Sequence, residues 1–177
     1  MPHTEIELKP VDFITVGTIG PKGKRIFHLQ AGKGSQIVSL VIEKEQAWAL
    51  SEAVKELIED LDERYPSEES MISEIDLASF DMELREPIEP IFRVAQMGLG
   101  YDEDNNMIVL VAQELVTTTV DDDEDDLGID EDSIEPGIVR MWCDRRQMRA
   151  LSLQAIATVQ SGRADPRQNG RVIYYWS

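Results

Sequence analysis

The sequence predicts an α+β protein: two βββα units forming one pseudo-twofold domain, with about six mostly antiparallel strands and two helices packed against them. Three observations carry this expectation. Residues 37–51 recur 101 positions later as residues 138–152, and six of the fifteen pairs are identical: Ile37/Ile138, Val38/Val139, Gln46/Gln147, Ala49/Ala150, Leu50/Leu151 and Ser51/Ser152. Self-similarity at a fixed spacing marks a repeated structural unit. Each copy runs from an apolar strand directly into a helix, and each is preceded by two β-rich runs separated by turn residues. A unit of this size exposes one sheet face and one helix stripe and is marginal alone, whereas pairing two of them buries both.

The elements follow in order. After a polar leader, Asp12-Phe-Ile-Thr-Val-Gly-Thr-Ile19 reads as a strand rich in β-branched residues. The turn cluster Gly20-Pro-Lys-Gly23 and the run Arg25-Ile-Phe-His-Leu-Gln-Ala31 make an antiparallel hairpin with it. Gly32-Lys-Gly-Ser35 is the next turn, and residues 36–42 are apolar enough for a strand buried on both faces. A helix starts near Lys44, because Glu43 and Gln46 have capping-box spacing, and Pro66 stops it. Ala47, Leu50, Val54, Leu57, Ile58 and Leu61 form its apolar stripe.

Residues 65–91 read as an acidic linker between the units. Its apolar residues predict that part of it packs on the body, with a short element around residues 75–84. The second unit opens with Phe92-Arg-Val-Ala-Gln-Met-Gly-Leu-Gly100, turns at Tyr101-Asp-Glu-Asp-Asn-Asn106, and continues with a strand over 107–115. A long acidic loop, 117–137, stands where the first unit has four residues. A strand over 138–143 follows, then a helix from Arg145 to about Ser161, with Asp144 and Gln147 as its capping pair and Gly162 as its stop. The units are thus 12–64 and 92–162 within a single domain of 1–177, and the tail is 163–177. Its ending, Arg171-Val-Ile-Tyr-Tyr-Trp176, is apolar enough to dock on the body.

Composition bounds the function. The chain has 177 residues, 42% of them hydrophobic, which suits one domain with a real core. Its one cysteine, Cys143, has no intrachain disulfide partner and points to a reducing compartment. No signal peptide or membrane span is visible, so a cytoplasmic protein is expected. The net charge of −18 is unevenly placed. Residues 59–89 hold twelve acids and two arginines, and residues 117–137 hold ten acids and no base, which leaves the remainder close to neutral. The summed field opposes tight binding to polyanions, but it belongs to two connecting segments.

At this point the residues resemble a known family. The run from Phe13 to Ala31, the Glu43-Lys-Glu-Gln46 helix start, the strand from Phe92 to Gly100 and the Ser161-Gly-Arg163 exit are similar to the uncharacterised bacterial family called domain of unknown function three thousand and ninety. The resemblance covers nearly the whole chain apart from its acidic segments. It implies a four-ligand zinc-ribbon-like motif in the tail, ending Cys-Pro-Arg-x-Asn-Gly. Here Asp165-Pro-Arg-Gln-Asn-Gly170 stands in that place and the earlier ligands are absent, so no zinc site carries over. The family brings no activity with it. It implies only a pathway shared with a histidine-phosphatase-like and a kinase-fold-like neighbour.

The candidate chemistries are few. Asp121-Asp-Asp-Glu-Asp-Asp126 fails the calcium-loop pattern in both registers and reads as a solvated acidic loop. Gly17-x-x-Gly20-x-x-Gly23 and Gly32-Lys-Gly-Ser35 join strand to strand, where a phosphate cradle needs a helix start. His28 lies mid-strand with no nucleophile context and reads as a structural histidine, and Cys143 reads as core. No catalytic residue, cofactor or metal is expected, and the balance is against an enzyme.

The one positive signal is basic: Lys24 and Arg25 in the first unit, Arg140, Arg145, Arg146 and Arg149 in the second, and Arg167 and Arg171 in the tail are the candidate ligand or partner contacts. The arginines at the second helix start oppose its dipole and call for a partner carboxylate, for which the acidic loop upstream is the nearest source. The leading expectation is a non-catalytic interaction or scaffold protein with an unknown protein partner. The alternative is a nucleic-acid or phospho-ligand module on the basic residues of the second unit and tail. Oligomeric state is left open.

Overall fold

The computed structural model describes residues 4–66, 80–116 and 135–161. Seven strands and two helices follow in the order β1 (Glu5–Leu8), β2 (Phe13–Ile19), β3 (Ile26–Lys33), β4 (Gln36–Ile42), α1 (Lys44–Arg64), β5 (Pro90–Asp102), β6 (Met107–Glu114), β7 (Ile138–Cys143) and α2 (Arg145–Ser161). The class is α+β as expected, with two helices and a mostly antiparallel sheet. There is one strand more than the patterning predicted, because the polar leader forms β1. The alternation Glu5-Ile-Glu-Leu8 is short and half charged, and Leu8 supplies the buried contact, at 1% exposure.

The strands lie in the order β1-β7-β6-β5-β4-β3-β2, antiparallel except for the β1–β7 and β4–β5 pairs. Strands β1 and β2 stand at opposite ends of this order, yet only residues 9–12 separate them. The Val11 amide donates to Trp142 O at 2.9 Å on the β7 side, and the next amide, Asp12, donates to Gly32 O at 2.7 Å on the β3 side. The sheet therefore curls until its two ends meet. Strand β5 repeats this behaviour in one piece: its first residues pair with β4 as far as Arg93, the register shifts after Val94, and the rest pairs only with β6.

Related sequence positions take related places. Both helices begin with a glutamine that turns back on its cap: Glu43 N donates to Gln46 Oε1 at 2.7 Å, and Asp144 N donates to Gln147 Oε1 at 2.9 Å. Each glutamine then spends its amide on the bend of a strand, Gln46 Nε2 on Val94 O at 3.1 Å and Gln147 Nε2 on Val11 O at 3.1 Å. The helices cross at Ser51 and Ser152, where each hydroxyl donates to the other residue's carbonyl, at 3.0 and 2.9 Å. Small hydroxyl residues let the two backbones approach and still satisfy their own groups. Changing either serine to alanine is expected to cost about 0.5–1.5 kcal/mol in urea denaturation, the usual net worth of one such bond.

One face of β2, β3 and β4 meets the helices through Ile14, Val16, Leu29, Ala31, Val38 and Leu40, all at 3% exposure or less. The β6 and β7 contribution is Ile108, Leu110, Ala112, Val139, Met141 and Cys143. The opposite face of the first three strands, with Thr15, Gln30 and Ser39 in one row, is buried as well. The segment entering β5 covers it. Thr15 Oγ1 donates to Met82 O at 2.6 Å, Gln30 Nε2 donates to Arg85 O at 2.8 Å, and Arg85 N donates to Gln30 Oε1 at 2.7 Å. This is the packed part of the expected linker. Within its described portion, residues 80–84 form no helix or strand. The remainder of the expected element, the acidic stretch 117–134 and the tail 162–177 lie outside the described residues.

Tight turns are made where the sequence punctuates. Strands β3 and β4 pair from Lys33 and Gln36, leaving a two-residue loop in which Gly34 takes φ +61°, a conformation that favours glycine.

Candidate binding site

The predicted basic residues of the second unit are engaged within the chain. Arg140 on β7 pairs with Glu5 at 2.9 Å and Glu7 at 3.4 Å on the neighbouring β1. Arg146 lies over the Phe80 ring, 5.5 Å from its centre. Arg145 is 1% exposed, between the start of α2 and the end of α1. It pairs with Asp62 Oδ1 at 3.1 Å and donates to Tyr65 O at 2.6 Å and to the Tyr101 hydroxyl at 3.4 Å. Arg149 holds the other Asp62 oxygen. The carboxylate that the second helix start demands is thus Asp62, one helix away, where the sequence pointed to the acidic stretch upstream. Spacing along the chain gave no sign of it, because the contact spans 83 residues. Arg167 and Arg171 lie outside the described residues, and Lys24 is exposed in the β2–β3 turn.

Arg25 leads to a different place. Its guanidinium donates to Ser161 O at 3.2 Å, at the end of α2, and its side chain lines a cavity of about 330 Å³ with Lys44 and Arg93. Glu43 is the one carboxylate among the lining residues and pairs with Arg93 at 2.6 Å, so three cations face one anion. Lys44 and Arg93 were missed by the sequence reading. Their signal was weak, because they come from the first turn of α1 and the parallel section of β5, which only the β4–β5 pairing brings side by side.

Beside this pocket runs an apolar groove of about 310 Å³ between α1 and β5. Gln46, Ala49, Leu50 and Ala53 form the helix wall, Ala95, Met97 and Leu99 the strand wall, and Leu110 the floor. The groove exists because α1 and α2 treat their strands differently. Alongside β2, Gln154 Nε2 and Thr158 Oγ1 both donate to Val16 O, at 3.2 and 3.4 Å, and Ala150 is fully buried. The corresponding α1 positions are Ala53, Leu57 and Ala49, and Ala49 and Ala53 are exposed. Gln46 Nε2 reaches Ala95 O at 3.3 Å, but alanine and leucine have no donor to continue, so beyond Ala95 the edge of β5 has no partner strand among the described residues along the groove.

The described residues hold no group of three or more metal-ligating side chains. His28 is buried and its Nδ1 lies 3.0 Å from Ile26 O on its own strand. Burial pushes the Cys143 thiol far above its ordinary range, and the neighbouring Asp144 charge adds to the effect, so the thiol stays protonated. Cys143 is therefore expected to resist a thiol-specific disulfide reagent at pH 8 in the folded protein. It should release one equivalent of the chromophore once guanidinium unfolds the chain, since it is the only cysteine. No helix of the described residues is long and apolar enough to cross a membrane.

The arrangement defines an α+β protein with a curled seven-stranded sheet, an apolar groove beside one strand and a separate charged pocket. The chain belongs to the family described as protein of unknown function (DUF3090), whose model matches residues 6–169. No curated protein and no solved structure matches it.

Proposed function

We propose that this protein is a non-catalytic interaction protein, and that it takes an extended segment of a partner protein against the open edge of β5. The observation that carries the reading is that among the described residues β5 beyond Val94 pairs on one side only, with an apolar groove running along its other side. An incoming strand gains main-chain hydrogen bonds from such an edge, and alternate side chains enter the adjoining groove. Lys44 and Arg93 of the charged pocket stand two positions from the groove residues Gln46 and Ala95, so the segment it suits carries acidic residues at one end and apolar residues along the remainder.

Less supports the nucleic-acid or phospho-ligand alternative, because Arg140, Arg145 and Arg149 already hold carboxylates and of its second-unit residues Arg146 alone is exposed. Fluorescence anisotropy with four labelled nonapeptides, combining acidic or basic ends with apolar or polar bodies, separates the readings. The acidic and apolar peptide should bind, and Lys44→Glu with Arg93→Glu should weaken it about tenfold or more, the equivalent of about 1.4 kcal/mol. Equal binding of all four peptides, or displacement of the bound peptide by a single-stranded oligonucleotide, would contradict it.

A further inference from the structure

The chain is acidic, with 35 aspartates and glutamates against 17 lysines and arginines, and several of its arginines meet carboxylates. Arg64 pairs with Asp60, Arg140 with Glu5 and Glu7, and Arg145 and Arg149 with Asp62. The pocket lined by Arg25, Lys44 and Arg93 departs from this pattern. There an acidic chain gathers three cations around the single carboxylate of Glu43.

That carboxylate answers one of the three charges, because Glu43 Oε1 accepts from Arg93 Nη1 at 2.6 Å. Arg25 spends its guanidinium on the neutral Ser161 carbonyl at 3.2 Å, and neither Arg25 nor Lys44 has a carboxylate partner among the described residues. Two positive charges are left over. Lys44 also stands in the first turn of α1, where the helix dipole favours negative charge, so it opposes both the dipole and the cations beside it. Like charges placed this way repel, and an anion seated between them turns the repulsion into attraction.

The three cations come from three elements, Arg25 from the turn before β3, Lys44 from α1 and Arg93 from β5. Phe27 and Ile42, register partners on β3 and β4 at 7% and 2% exposure, also line the pocket. Apolar walls beside charge of one sign focus its field on the space between. Planar guanidinium donors and a compact ammonium together suit the oxygens of a phosphoryl group. The surplus of two charges sets the class of anion: a phosphorylated side chain carries roughly −1.5 to −2 near neutral pH and offers three strong acceptor oxygens. A carboxylate carries one charge and two oxygens, so it leaves a cation unanswered.

We infer that Arg25, Lys44 and Arg93 form a phosphoryl-binding site, and that its occupant is a phosphoserine or phosphothreonine at the acidic end of the partner segment. The inference rests on the proposed function and narrows its partner class from acidic to phosphorylated. Continuity favours a phosphorylated segment over free phosphate, since α1 and β5 each supply both a pocket cation and a wall of the apolar groove. The site is also distinct from the second-unit arginines, which hold carboxylates of their own.

The test uses the full chain and three labelled nonapeptides that share one apolar body and end in serine, glutamate or phosphoserine. The phosphoserine peptide should bind about tenfold or more tighter than the glutamate peptide at about pH 7.5, and this advantage should shrink at about pH 5.5, where the phosphoryl group, with a second pKa of about 6, takes up a proton. Arg25→Gln combined with Lys44→Gln should bring the two peptides within about twofold of each other. Residual binding of the glutamate peptide shows that this variant is folded, and Lys44→Gln alone should narrow the gap in the same direction. Equal affinity of the parent for the two peptides would overturn the inference and leave the proposed function standing. A phosphoserine preference that survives in the folded double variant would overturn the assignment of the site. Binding of none of the peptides would overturn the proposed function and this inference with it, and amide shifts at Lys44 and Arg93 on adding inorganic phosphate alone would then give the pocket to free phosphate.

Discussion

Replacing Asp62 with alanine is expected to destabilise the protein by about 3–5 kcal/mol, the scale of removing one partner from a buried ion pair. Asp62 is the shared anion of two arginines from the first two turns of α2. Arg145 is 1% exposed and its Nε has no hydrogen-bond partner among the described residues, so losing Asp62 leaves a buried guanidinium held there only by the Tyr65 carbonyl and the Tyr101 hydroxyl. The positive end of the α2 dipole adds to the penalty, because Arg145 and Arg149 sit where that helix favours negative charge. Urea unfolding measures the loss. Adding Arg145→Met to Asp62→Ala removes the stranded charge and fills the space with a flexible apolar chain, so the double variant should regain more than half of it. A loss below about 1 kcal/mol for Asp62→Ala would show that water reaches the cluster and screens it as at a surface.

Gln30→Leu is the second large effect, expected at about 2–4 kcal/mol. Leucine keeps the volume of a fully buried position but returns none of its three hydrogen bonds. Both the amide and the carbonyl of Arg85 lose their partner, and an unsatisfied backbone group costs roughly 1–3 kcal/mol to the extent that it is shielded from water. The added apolar contact offsets only part of that. The change also acts in one place: hydrogen exchange should accelerate at Arg85, while the amides of α1 and α2 lose only the protection that follows from lower global stability. Uniform acceleration alone would mean that the segment entering β5 contributes no local structure.

Local pattern reached far into the fold because each element is written in a few neighbouring residues. The glutamines at 46 and 147 announced both helix starts, and their Oε1 atoms close the caps. The glycine at 34 announced the β3–β4 turn. β1 escaped because a strand of four residues with two glutamates has no apolar run, and it owes its place to β7, 133 residues downstream, through pairs such as Leu8 with Met141.

The site was less legible for the same reason. Arg140, Arg145 and Arg149 looked available, since the carboxylates that hold them come from β1 and the far end of α1. Lys44 and Arg93 looked unremarkable, since their meeting depends on a parallel β4–β5 pairing that no spacing encodes. The groove is written only as a difference between the helices, Ala53 and Leu57 where α2 has Gln154 and Thr158.

That difference supplies the most direct test. Ala53→Gln combined with Leu57→Thr gives α1 the donors that close the β2 edge. A ¹⁵N-labelled chain is titrated with the acidic and apolar nonapeptide, and its amide shifts are followed. The account predicts saturable shifts at residues 95–99 and at Lys44 and Arg93, weakened at least tenfold in the Ala53→Gln, Leu57→Thr variant. Saturable shifts that centre on residues 140–149, or that survive unchanged in the variant, would contradict it.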